Sequence, residues 1–177
     1  MLRNPPRRIL TALLVSTGLL LGNAVVATSA GATTPSAAVA NVYADKVLGL
    51  MNIERAAHGL PLLRMNAQLE SAAHRHNLRM AAYNRMSHQL PGESTLGVRV
   101  SAAGYNWRNI GENVGYTSNW CLAGAYSLQQ LMYNERSPND AHRRVILNPV
   151  YRDVGVDIYM DGAHHKMWLT EDFGRHM

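Results

Sequence analysis

Two histidines and two glutamates carry most of the chemistry that this 177-residue chain can offer. His88 stands in NRMSHQLPGE, Glu112 in NIGENVGY, Glu135 in LMYNE and His142 in NDAHRRVILNP. Imidazole and carboxylate are the side chains that ligate metals or pass protons near neutral pH. No short motif joins the four. Nothing has the spacing of H-E-x-x-H, so no two of them are set side by side on one helix. Each can act only through a fold that brings them together. The remaining candidates are weaker. His74 and His76 are two positions apart, on different faces of a helical pattern, so HRH is not a metal pair. His76 is expected in the core with a hydrogen-bond partner. His164 and His165 are expected beside a turn, in solvent. Ser87 precedes His88, but neighbours in a loop point apart, and no strained G-x-S-x-G turn is present.

The elements that must position these residues follow from periodicity. Residues 37–59, AAVANVYADKVLGLMNIERAAHG, place Val39, Tyr43, Val47, Leu50, Met51 and Ala57 near a 3.6-residue period and predict a helix. Gly59 and Pro61 end it. Asn66 is set to cap AQLESAAHRHNLRMAAYN, whose Leu69, Ala72, Ala73, His76, Met80 and Tyr83 share a face. TLGVRVSAAGYNW predicts a short helix ended by Gly104. NIGENVGY predicts a short strand in which Gly111 and Gly115 permit close approach. CLAGAYSLQQLMYNE predicts a helix with Leu122, Ala125, Leu128, Leu131 and Met132 inward. RSPNDAHRRVILNP predicts a loop with a short turn. DVGVDIY and HHKMWLTEDF, joined by a turn at MDGA, predict a hairpin. Trp168 and Phe173 are expected as its packing residues. Helices first and a hairpin last predict an α+β layered domain.

The ends and the composition narrow the class. MLRNPPRR has three arginines and no acid, an apolar run follows, and TSAGA supplies small residues. That order is a secretory signal over residues 1–32, with cleavage expected after Ala32 or Ala30. An uncleaved membrane anchor is the alternative. Residues 33–42 are expected as a linker and the start of the first helix, and no membrane span is expected in the mature chain. Removing Arg3, Arg7 and Arg8 lowers the formal charge from +5 to +2. No basic stripe remains, which argues against nucleic acid as a partner. A single cysteine, Cys121, forbids an internal disulfide; it is expected as a small buried apolar residue.

Four stretches, LMNIERAAHGLPLLRMNAQLESAAHRHNLRMAAYNRMSH, AGYNWRNIGENVGY, HRRVILNPVYRDVGVDI and WLTEDFG, resemble the bacterial branch of the CAP superfamily. This is the SCP-like domain of cysteine-rich secretory proteins, venom antigens and plant pathogenesis-related-1 proteins. The resemblance covers roughly residues 43–174, nearly the whole mature chain, and makes residues 43–177 the domain. It implies a single α-β-α sandwich with a small antiparallel sheet between helical layers. It also implies a cleft lined by His88, Glu112, Glu135 and His142. There His88 and His142 would hold a divalent cation such as zinc, with the carboxylates or water completing the shell. Alternatively the acids would orient the imidazoles through the far ring nitrogen. A secreted or envelope-associated protein follows, with a small-molecule or lipid ligand and an envelope or extracellular protein partner that the sequence does not name. The resemblance does not define catalysis. A binding module is expected; a peptidase-like metal-dependent hydrolase and an interaction protein with a vestigial cleft are the alternatives. The chain departs from many bacterial relatives at Met132, where they carry tryptophan, and in SPNDAHR, two residues longer than their SPGHR.

Overall fold

The computed structural model describes residues 34–177; the expected signal at 1–32 lies outside them. The elements run α1 (Ala37–Ala57), β1 (Arg64–Met65), α2 (Ala67–Tyr83), α3 (Leu96–Ala102), β2 (Trp107–Thr117), α4 (Leu122–Tyr133), α5 (Ala141–Ile146), β3 (Asp153–Asp161) and β4 (Lys166–His176). The sheet order is β1-β3-β4-β2. β4 pairs antiparallel with both β2 and β3, and the two-residue β1 pairs parallel with β3. β2 is therefore an edge strand.

Alternation along the strands sorts the helices into two layers, because successive side chains leave a strand on opposite faces. Val154, Val156, Ile158 and Met160 of β3 join Met167, Leu169 and Phe173 of β4 on one face. They pack against Ala40, Ala44, Val47 and Met51 of α1 and Ala125, Leu128 and Met132 of α4. The other face carries Trp168 and Val114 against Met80 and Ala81 of α2, with Tyr159 beside them. Leu69, Ala72, Val100 and Tyr105 extend that layer towards α3. The result is the α-β-α sandwich that the resemblance implies, within the α+β layered class that the sequence patterns predict.

Local signals account for both ends of α2 and for the end of α3. The Asn66 side chain accepts from the amides of Gln68 and Leu69, both at 3.0 Å, which caps α2. Asn84 ends it in the left-handed region, at φ 47°. Gly104, at φ 89°, follows α3. Gly155 is required for another reason: a Cβ there would stand 2.0 Å from the backbone nitrogen of Glu70, where α2 lies directly on β3.

Several expectations shift. The inner face of α1 is rotated one step, to Ala40, Ala44, Val47 and Met51, then Glu54 and Arg55; Ala57 is exposed. Arg55 is fully buried because its guanidinium donates to the carbonyls of Pro61, Ile146, Asn148 and Tyr151. It ties α1 to the segment before β1 and to the stretch from the end of α5 to the start of β3, which no apolar periodicity could signal. Tyr83 and Leu131 are 47% and 70% exposed rather than inward. β1 is too short to show a pattern. Residues 141–146, expected within a loop, form α5. The hairpin turn is 162–165: Met160 and Asp161 still belong to β3, with Asp161 opposite Lys166. Cys121 is exposed, correcting the expectation of a buried residue, because it stands just outside the α4 start.

Gly155→Ala is expected to lower stability by at least about 2 kcal/mol through overpacking against α2. Denaturant unfolding checks this; a loss within error of zero would mean that α2 can retreat.

Candidate functional site

Glu112 leaves β2 on the α2 side and is almost fully buried, with 2% of its side chain exposed. One carboxylate oxygen, Oε1, lies 2.9 Å from Nδ1 of His88; the other accepts a short hydrogen bond from Arg99 of α3. Arg99 also donates to the His88 carbonyl at 3.1 Å, and its guanidinium lies 2.8 Å from Nδ1 of His76. His76 is wholly buried, as expected. Its Nε2 lies 2.9 Å from the Ser87 carbonyl, which can only accept, so Nε2 carries the hydrogen. Glu93 Oε1 lies 2.8 Å from His76 Nδ1, while its Oε2 accepts from the Leu90 amide at 2.9 Å. The loop after α2 is thus bolted down on both sides of His88. The ring itself is half open, with 61% of the side chain exposed. Its hydrogen bond to Glu112 raises the His88 pKa, against partial burial that lowers it. Ser87 does not serve His88: its hydroxyl donates to the Gln89 carbonyl at 2.8 Å.

His142 sits in the first turn of α5 and meets the second acid. Its Nδ1 lies 2.5 Å from Glu135 Oε1, and its amide donates to Glu135 Oε2 at 2.9 Å. The Arg143 amide reaches the same oxygen at 3.4 Å. Asp140, the residue in the cap position, makes no side-chain cap bond, so Glu135 caps α5 from across the intervening turn. Burial works against ionisation of Glu135, but the His142 hydrogen bond and charge and the two amides outweigh it, and its pKa is lowered. The longer SPNDAHR segment folds into a turn closed by the Arg136–Asn139 bridge, which leaves His142 on α5.

The structure therefore arranges the four residues as two histidine–carboxylate pairs. Both Nδ1 atoms face an acid, which leaves Nε2 as the outward nitrogen of each ring. His142 and Glu135 line a groove of about 380 Å³ along edge strand β2, floored by Met86, Val114, Tyr116 and Leu131 among others. Among the described residues, no three or more His, Cys, Asp or Glu side chains come close enough together to hold a metal ion. His164 and His165 are exposed, as expected, and His74 pairs with Asp157 at 3.1 Å outside this region.

Three further acids, Asp172, Glu171 and Glu54, escaped the periodicity reading. Asp172 lies directly opposite Glu112 in the β2–β4 register and is fully buried. Burial first, and then the Glu112 charge, push its pKa well up. Glu171 faces the α1–α4 layer, where Asn113 donates to it at 3.1 Å. Burial lifts Glu171 to about 8, and lifts Glu54, held by Gln129 at 2.6 Å, to about 7. Adjacent acids inside the apolar strand WLTEDF were the available signal.

The pattern of the cysteine-rich secretory protein (CAP) family matches residues 48–173. The chain belongs to this family. YkwD of Bacillus subtilis is 24% identical over 143 residues, 81% of this chain and 51% of YkwD. An extracellular SCP-domain protein of Bacillus anthracis superposes with a TM-score of 0.66 at 27% identity, over 76% of this chain and 41% of that one. The CAP chain thus spans about half or less of each of these two relatives. An outer surface protein of Borrelia burgdorferi shares the fold over 82% of this chain and 98% of its own, with a TM-score of 0.68 at 14% identity. NaASP2, crystallised with Zn2+, shares it with a TM-score of 0.58 at 10% identity, over 80% of this chain and 84% of its own. These relatives include extracellular and surface proteins, and no described helix of this CAP chain is long and apolar enough to cross a membrane.

The raised carboxylates set a pH dependence. Glu54 and Glu171 bind protons more tightly folded than unfolded, so their contribution is full below the unfolded value near 4.5 and is lost as the pH rises through about 7 and 8. The thermal midpoint is expected to fall between about pH 5 and 8. Glu171→Gln should flatten that slope; an unchanged slope would place the titration elsewhere.

Proposed function

We propose that this CAP domain is a secreted or envelope-associated binding module whose two outward imidazoles, His88 and His142, take a divalent cation. The pairing of each Nδ1 with a carboxylate carries the reading, since this is how metal-binding histidines are held in one tautomer and orientation. Glu112 and Glu135 are then the orienting acids rather than ligands. The donor set fits zinc as two neutral nitrogens; with no group of three such ligands among the described residues, solvent or a bound ligand would complete the shell. A bound cation would supply Lewis acidity in the cleft. The zinc of NaASP2 supports the same reading by analogy of fold. The apolar groove beside His142 supports a small or lipid ligand with a polar end at the cation. Both Glu112 oxygens are engaged, one by His88 and one by Arg99, which supports an orienting role for Glu112. Residues 1–32 are proposed as the secretion signal that takes the domain outside, where a protein partner would meet it.

Calorimetric titration of the protein with zinc near pH 7.5 tests this, beside His88→Ala and His142→Ala. One site per chain, lost in both variants and kept in His74→Ala, is the expected result. Because the His88 pKa is raised, protons should displace the cation at a higher pH than for a free imidazole, and affinity should fall as the pH drops towards 6.5. Weak binding that is the same in all variants sinks the metal reading.

A further inference from the structure

Arg99 also borders a second, open groove of about 490 Å³, lined by α2, α3 and residues 92–94 and larger than the one beside His142. That volume is within the range of small-molecule sites, about 300–1,000 Å³. Its lining is part apolar and part cationic. Leu78 and Val98 are 40% and 55% exposed there, beside Ala102, although a solvated helix pair has no need of either. Arg75 and Arg79 stand on the same wall, one helical turn apart.

The charges of those two arginines are not spent inside the protein. Arg75 donates to the Ser71 hydroxyl at 2.9 Å, and Arg79 to the Pro91 carbonyl at 2.8 Å, with its guanidinium over the Tyr83 ring. Among the described residues, neither has a carboxylate within ion-pair distance. A guanidinium has five N–H donors, so each keeps several available. Arg99, 7% exposed, lines the same groove, and its buried Nε has no hydrogen-bond partner among the described residues. A buried donor of that kind needs an acceptor. Glu93 is the acid of the lining, but its carboxylate is turned to His76, Arg99 and the Leu90 amide, and only 6% of the side chain is exposed. The groove thus offers apolar surface and unspent positive charge together.

We propose that this α2–α3 groove binds a small amphipathic anion: an aliphatic or aromatic body over Leu78, Val98 and Ala102, with one carboxylate or sulfonate held by Arg75 and Arg79. A concave site with two cations suits a soluble monomeric ligand. A membrane surface would call for projecting apolar side chains and a broad basic face. The site is separate from the His88 and His142 pairs and stands whether or not those bind metal.

The test uses the fluorescent probe 8-anilinonaphthalene-1-sulfonate on the full chain, displaced by octanoate, octanol, octylammonium or acetate. Saturable one-to-one binding is expected, with octanoate displacing the probe at least about tenfold more effectively than octanol or acetate, since charge and tail act together. Arg75→Gln/Arg79→Gln should weaken octanoate by about tenfold or more while leaving octanol unchanged. Val98→Asp should abolish probe binding with the near-ultraviolet circular dichroism of the fold retained. His88→Ala should leave all of this unaltered. No saturable binding, equal displacement by octanol and octanoate, or full octanoate affinity in the double arginine variant would overturn the proposal. So would adsorption to phosphatidylglycerol vesicles that octanoate does not reverse. The arginines are on the surface, so that variant reads the proposal even if Val98→Asp fails to fold.

Discussion

A single buried guanidinium organises the α2 side of this domain. Arg99 holds Glu112, His76 and the backbone of His88 at once, and its neighbour Glu93 secures the rest of the loop. Taking a carboxylate such as Glu112 out of water is costly unless it is paired and hydrogen-bonded. Arg99 meets that condition, and in doing so it decides where His88 can be. Removing one partner of such a pair leaves the other buried and uncompensated, a cost of about 3–5 kcal/mol. The exposed ring of His88 is therefore positioned by residues that solvent barely reaches.

The sheet carries acids on both faces, and their fates differ because their neighbours do. Glu112 has a cation and an imidazole. Asp172, directly across the ladder from it, has neither oxygen hydrogen-bonded, so burial holds it towards the neutral form. Glu171, one residue earlier, points to the opposite layer and finds only the amide of Asn113. Like charges so close in a dry interior cannot all ionise. The sheet thus holds one charged, outward-looking pair beside Asp172 on the same face, and Glu171 on the other, with burial pushing both of these acids towards the protonated form.

The two histidine–carboxylate pairs use different means to reach the same local arrangement. His88 is held by a loop pinned to α2 and α3, and its acid comes from an edge strand. His142 belongs to a six-residue helix whose cap is its own acid partner, so Glu135 fixes the backbone and the ring with one carboxylate. That economy explains why the longer loop before α5 does not displace His142: the anchor lies on the far side of the loop, at the end of α4.

By itself, the sequence determined the family, the layered class and the long elements. Those signals are local or periodic: the Asn66 cap, the apolar stripe of α2, the Asp-Gly turn between the apolar runs of β3 and β4. It also marked His88, Glu112, Glu135 and His142, but only through the words around them, since their own spacing carries no motif. Tertiary structure alone decided which acid meets which histidine, and that each acid takes Nδ1. It alone turned the α1 face to admit Glu54 and Arg55, left Leu131 and Cys121 in solvent, and made α5 from a stretch without a strong period. Those outcomes rest on partners far apart in the chain. A buried charge is tolerable only beside a complement, and no local pattern says where that complement will be. The Arg55 guanidinium finds carbonyls 91 to 96 residues away, and Glu112 finds its cation on a separate helix.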